Sequence, residues 1–173
     1  MASFLQAQSV TLQVRTVLGD DDGTGTNGMF WGVLVDNAGN GFSVTPTGTL
    51  SSAFDFTTNG SIGGDSYFVG SSTTTFAPPY GGTGAALQTP AISLSGGVDT
   101  DDQFGIFWSD GASAYGFVTA ATALLPSAGA TVDFSGIFNS DPYTAGGTIP
   151  EPSAYSLIGG LFALGCVMLR RRA

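Results

Sequence analysis

Any chemistry in this chain has to be built on aspartate. The sequence holds twelve aspartates and one glutamate, Glu151, with neither histidine nor lysine. Without an imidazole or an amine, Ser–His–Asp triads and Schiff-base sites have no parts. The one cysteine, Cys166, lies in an apolar run near the C-terminus, which leaves the preceding residues without a thiol nucleophile. Two carboxylates suffice for glycoside hydrolysis when they stand about 5 to 9.5 Å apart across a cleft. Glu151 belongs to a tripeptide of its own, so such a pair would be two aspartates. The protein is read as having no catalytic residues and as not an enzyme.

Aspartates also hold hard cations. The run Asp20-Asp-Asp-Gly-Thr-Gly-Thr-Asn27 sets oxygen donors at alternate positions around a glycine that permits a sharp turn. It resembles a calcium loop with Asp20, Asp22 and Thr24 as candidate ligands, although the closing bidentate glutamate is absent. Asp99-Thr-Asp101-Asp102 is a second acidic knot. Acidic turns between strands give both runs a metal-free reading as well. Aromatic residues offer the other binding chemistry. Exposed Trp31, Tyr80 and Tyr115 would stack on sugar rings as a carbohydrate-binding module, whereas buried aromatics would be core. The two readings predict opposite exposures.

Charge narrows the partners. Up to Ile149, twelve aspartates face Arg15 alone, a net charge of −11. Nucleic-acid binding needs lysine and arginine along the phosphate backbone, so that class is excluded. An anionic membrane surface would repel the same region, and the charge suits extracellular solubility. With one cysteine no disulfide forms within the protein. Cys166 reads either as a lipidation site or as a small apolar filler.

The 173 residues accommodate one domain of about 145 residues with a tail. Short stretches rich in Val, Ile, Phe, Tyr and Thr predict strands at Val10–Val17, Met29–Asp36, Gly41–Thr45, Leu50–Phe56, Tyr67–Val69, Ala91–Leu94, Phe104–Trp108, Ala114–Thr119 and Thr131–Phe138. Turn signals such as Asp22-Gly23, Asn59-Gly60, Gly63-Gly64 and Asp110-Gly111 separate them. Thr119–Leu125 is the one stretch that suggests a short helix, ended by Pro126. The pattern predicts an all-β ectodomain over residues 10–138, a β-sandwich or jelly roll. Phe30–Thr45 and Phe104–Thr119 share a layout, read either as an accidental resemblance of two hairpins or as an internal repeat that would set two hairpins in equivalent positions of two sheets. Trp31, Phe42, Phe107, Trp108 and Phe117 are the core candidates. Gly70–Gln88 reads as a long surface loop around Pro78-Pro79-Tyr80, and residues 139–149 as a flexible spacer.

The last 24 residues carry three signals in order: Pro150-Glu151-Pro152, an uncharged run from Ala154 to Leu169, and Arg170-Arg171-Arg172. Sixteen helical residues span roughly 24 Å, somewhat short of a hydrocarbon core of about 30 Å. Tyr155 and snorkelling arginines extend the reach. Pro152 excludes an earlier helix start, and Ser153 is placed as N-cap. A single transmembrane helix over 154–169 is expected, with the arginines cytoplasmic and the N-terminal bulk outside. A buried core helix with a basic end is the other reading of a run this short.

Pro-Glu-Pro, a short hydrophobic helix and a terminal arginine cluster together resemble the PEP-CTERM sorting domain, over residues 149–173 only. That resemblance implies an exosortase-type processing enzyme as partner, acting near Pro150-Glu151-Pro152, and membrane attachment through the helix. It implies an inner-membrane precursor and then a cell-surface or extracellular-matrix location in an exopolysaccharide-producing Gram-negative bacterium. It says nothing uniform about the domain ahead of the tail. Residues 1–9 have no basic n-region, although Leu5-Gln-Ala7 resembles a cleavage context, so this stretch is read as a signal-peptide remnant. Exopolysaccharide is the further expected partner. No cofactor other than calcium is expected.

Overall fold

A computed structural model describes residues 8–20, 22–45, 57–70, 73–77, 82–89, 91–110, 114–138, 143 and 145–148. These residues form eleven strands and no helix: β1 Ser9–Val17, β2 Phe30–Asp36, β3 Gly60–Ile62, β4 Asp65–Val69, β5 Thr75–Ala77, β6 Gly82–Gln88, β7 Ile92–Ser93, β8 Gln103–Ser109, β9 Ala114–Leu124, β10 Thr131–Asp133 and β11 Gly147–Thr148. One sheet runs β10-β1-β6-β5, with β7 also on β1, and the other runs β11-β9-β8-β2-β4-β3. All named pairs are antiparallel except β1 with β10. The described residues form an all-β, sandwich-like fold.

Alternation in β1 builds one half of the core. Val10, Leu12 and Val14 turn inward while Thr11, Gln13 and Arg15 stay half-exposed, the signature of a strand with one wet face. They meet Trp31, Val33, Val35, Phe104, Ile106 and Trp108 from β2 and β8. Opposite β6, β1 gains a residue between Gln13 and Thr16, a bulge that Arg15 accommodates with φ 45°. Arg15 is held there by Asp133 of β10, at 3.1 Å, and by Gln13 Oε1, at 2.9 Å.

The centre of the six-stranded sheet, β2 and β8, is buried on both faces. Its outer face carries Leu34, Tyr67, Phe107, Tyr115 and Phe117, with Val44 and Phe42 from the segment after β2 laid over them. Strands buried on both sides must alternate two kinds of residue, and here the second kind includes glycine. Gly32 lies opposite Phe107, Gly60 opposite Tyr67, Gly116 opposite Trp108 and Gly147 opposite Tyr115. In each pair the ring lies across the glycine backbone, where a Cβ would collide with it. A Cβ on Gly32 would stand 2.6 Å from the Phe107 ring, and one on Gly60 would stand 2.5 Å from the Tyr67 hydroxyl. Glycine in these strands marks close approach rather than a turn.

The two aromatic-rich stretches that share a layout are neighbours in one sheet. β2 and β8 pair over seven positions, with Trp31 opposite Trp108, which corrects the expectation of equivalent places in two sheets. The expected helix at Thr119–Leu125 is also corrected: β9 continues to Leu124, and Gln103 of β8 pairs with Leu124 after a register shift. Ala123 and Leu125, two apart, both enter the core, so sheet pairing overrides the helix preference of alanine. Gly41–Thr45 is a loop rather than a strand, and β10 ends at Asp133. Within the expected 70–88 loop lie β5 and β6. Leu50–Phe56 lies outside the described residues. Of the core candidates, Trp31, Phe107, Trp108 and Phe117 are buried, and Phe42 is partly buried against the outer cluster.

Adding a methyl group at Gly116 forces the buried Trp108 ring to move, and its indole N–H is committed to the Gly19 carbonyl at 2.8 Å. Gly116→Ala is expected to cost about 1–3 kcal/mol, read from the urea midpoint. Gly136→Ala, where nothing lies within 4 Å, is expected to stay within about 0.5 kcal/mol.

Candidate functional site

The aspartates that chemistry would require are spent on backbone N–H groups. Seven of the nine described aspartates accept such a bond: Asp20, Asp22, Asp36, Asp65, Asp102, Asp110 and Asp133. Short acidic side chains bond neighbouring backbone in this way wherever a turn leaves amides unpaired.

The calcium candidates Asp20, Asp22 and Thr24 do come together. Asp22 Oδ1 and Asp20 Oδ1 both accept the Thr24 N–H, at 2.8 and 3.3 Å, and Asp20 Oδ2 accepts the Thr26 hydroxyl at 2.9 Å. The turn thus folds around its own hydroxyl and amide donors. Among the described residues no group of three or more acidic, His or Cys side chains gathers as for a metal. Hydrogen bonding with the Thr24 side chain, then the interaction with the Asp20 carboxyl and the Thr24 amide, holds the Asp22 carboxyl below its ordinary value. Asp133 is lowered as well, first by the Ser135 hydroxyl, then by the Ser135 amide and Arg15. At the second acidic knot, Asp102 accepts the Asp99 N–H at 2.7 Å, and Asp101 takes φ 71°.

Two buried acids clamp the cover of the outer aromatic face. Asp36 accepts the N–H groups of Asn40 and Gly41 at 3.1 and 2.9 Å. Asp65, fully buried, takes the Ser43 amide at 2.8 Å and its hydroxyl at 2.6 Å on one oxygen. Its other oxygen has no partner among the described residues. Sequence reading passed over both acids because neither sits in an acidic run. The signal was there in Asp36 closing an apolar strand just before Asn37-Ala-Gly-Asn-Gly.

The carbohydrate-stacking reading requires exposed rings. Trp31 and Tyr115 are each 2% exposed, the first between the sheets and the second under the outer cover with its hydroxyl on the Thr45 carbonyl at 2.9 Å. Neither offers a face to a sugar. Tyr80 lies outside the described residues, as do Pro150, Glu151, Pro152, the expected helix 154–169, Arg170, Arg171, Arg172 and residues 1–7. Among the described residues no helix is long and apolar enough to cross a membrane.

Within the stretch expected as spacer, the described residues are tied to both sheets. The Tyr143 N–H donates to Val17 O and the Gly19 N–H to Tyr143 O, at 3.1 and 2.8 Å, while the Ala145 N–H donates to Asp20 O at 3.0 Å. β11 then pairs with the start of β9. The segment crosses from the end of β1 to the far edge of the other sheet. Its last described residue is Thr148, and Pro150 follows two residues on. Comparison with protein-family models, with curated proteins and with solved structures finds no match.

A protein ending at Phe138 loses these bonds and is expected to be about 2–4 kcal/mol less stable than one ending at Thr148, measured by chemical denaturation. Carboxylates lowered in the folded state stabilise it above their unfolded value of about 3.9 and lose that contribution as pH falls through the folded value. Stability should therefore hold down to about pH 5 and fall below about pH 4. Asp133→Asn should flatten that acid limb in a pH series of melting temperatures.

Proposed function

We propose that this protein is an exported, non-enzymatic component of the cell surface or extracellular matrix, sorted and processed through its C-terminal signal. The reading is carried by one observation: Pro150-Glu151-Pro152, an uncharged run at 154–169 and Arg170–Arg172 stand in that order after an ectodomain of net charge −11. On this reading the helix holds the precursor in the inner membrane with the arginines inside. An exosortase-type enzyme then acts near Pro150-Glu151-Pro152. The absence of histidine and lysine, and the use of seven aspartates as backbone acceptors, support a structural or adhesive role for the domain. The tie of β11 to β9 supports it too, since a cut after Ile149 leaves the strand pairings intact.

The test is the intact mass of the native protein recovered from envelope and medium. A product ending near Pro150-Glu151-Pro152 is expected. A full-length protein in the envelope would make the tail a permanent anchor. A full-length protein in the cytosol would sink the proposal.

A further inference from the structure

Three Asn–Gly pairs lie among the described residues: Asn27-Gly28, Asn40-Gly41 and Asn59-Gly60. In such a pair the glycine nitrogen can close a five-membered ring on the preceding side-chain amide, because no glycine side chain hinders the approach. Two of the pairs are restrained. Asn27 Oδ1 accepts the Gly84 N–H and Asn59 Oδ1 accepts the Val69 N–H, both at 2.8 Å, so turning either amide toward its glycine breaks a bond. Asn40 is exposed, and its side-chain amide makes no hydrogen bond among the described residues. The neighbouring Gly41 N–H points at Asp36 Oδ2, 2.9 Å away, within reach of a base for that proton.

The geometry points to Asn40-Gly41 as a self-modification site, a hydrolytic deamidation in which Asp36 is the proton acceptor. The Gly41 nitrogen attacks Asn40 Cγ, and its proton passes to Asp36 Oδ2. As the new C–N bond forms, the bond from Asn40 Cγ to Nδ2 breaks, and the leaving nitrogen takes up one proton, matching the one given to Asp36, to depart as ammonia. Water then opens the cyclic imide at either carbonyl, giving aspartate or isoaspartate at position 40. One amide and one water become one acid and one ammonia, with no change in oxidation state.

The product alters the clamp on the outer core. Asp36 holds the N–H groups of residues 40 and 41 together. Isoaspartate inserts a methylene into the backbone between those two groups, and either product sets a second carboxylate beside Asp36. Both changes loosen Phe42 and Val44 over the aromatic face of β2, β4, β8 and β9. The reaction thus acts as a slow, irreversible release built into the loop, independent of the sorting tail.

The full-length protein is aged at neutral pH and followed by peptide mass spectrometry with isoaspartate-specific methylation. Asn40 is expected to convert about tenfold faster than Asn27 and Asn59. Asp36→Asn, checked for folding by circular dichroism, should slow Asn40 about tenfold while leaving the other two unchanged. Equal or slower conversion at Asn40 in the parent protein overturns the assignment, whether or not the variant folds. Faster conversion in a folded Asp36→Asn variant would overturn the role of Asp36 and make it a restraint.

Discussion

Aromatic rings lying flat on glycine backbone set the terms for this fold. A sheet whose central strands are buried on both faces needs large side chains for area and thin places for them to lie. The pairs Gly32–Phe107, Gly60–Tyr67, Gly116–Trp108 and Gly147–Tyr115 supply both at once. Each ring covers an otherwise bare stretch of cross-strand backbone and keeps water from its amides. The same arrangement keeps the outer face shallow enough for the loop carrying Phe42 and Val44 to close it. The edge pairs bring in β3 and β11, so the aromatic–glycine rule extends from the centre of the sheet to its margins.

The charges follow a second rule. Hydrogen bonds to ionised acceptors are the stronger ones, and a loop-rich all-β protein has many amides outside its ladders. Aspartate meets that need at Thr24, Asn40, Gly41, Ser43, Asp99, Ala114 and Ser135. The acidity of the domain is therefore partly architectural. Asp36 and Asp65 show this best: from neighbouring strands they grip the loop over the outer core, adding to the Tyr115 hydroxyl on Thr45 O and the edge contact of Phe42 with Phe117.

The path of the backbone after Phe138 links the two sheets. Tyr143 lies beside Leu18 in a parallel bridge and packs its ring at 6.1 Å from Trp108, whose indole N–H is held by the Gly19 carbonyl. β11 finishes on the opposite sheet.

The alternation of β1 and the aromatic-rich runs of β2, β8 and β9 made the all-β class and much of the core readable from sequence. Trp31, Phe107, Trp108 and Phe117 could be placed there before any pairing was known. β6 was unreadable, because Gly82-Thr-Gly-Ala-Ala-Leu-Gln88 has Thr83 as its one β-branched residue and, among its described residues, buries only the small side chains of Ala85 and Ala86. Phe42 and Val44 alternate as strand residues do, yet the acids of β2 and β4 hold them as a loop. The alanines after Thr119 favour a helix locally, and the register with β8 decides otherwise. By itself the sequence determined composition, charge, strand periodicity and the order of the tail signals, since these are properties of neighbouring residues. Which glycine lies beneath which ring, which acid clasps which loop, and that β2 and β8 are partners were decided only by the tertiary structure, because each depends on residues far apart in sequence.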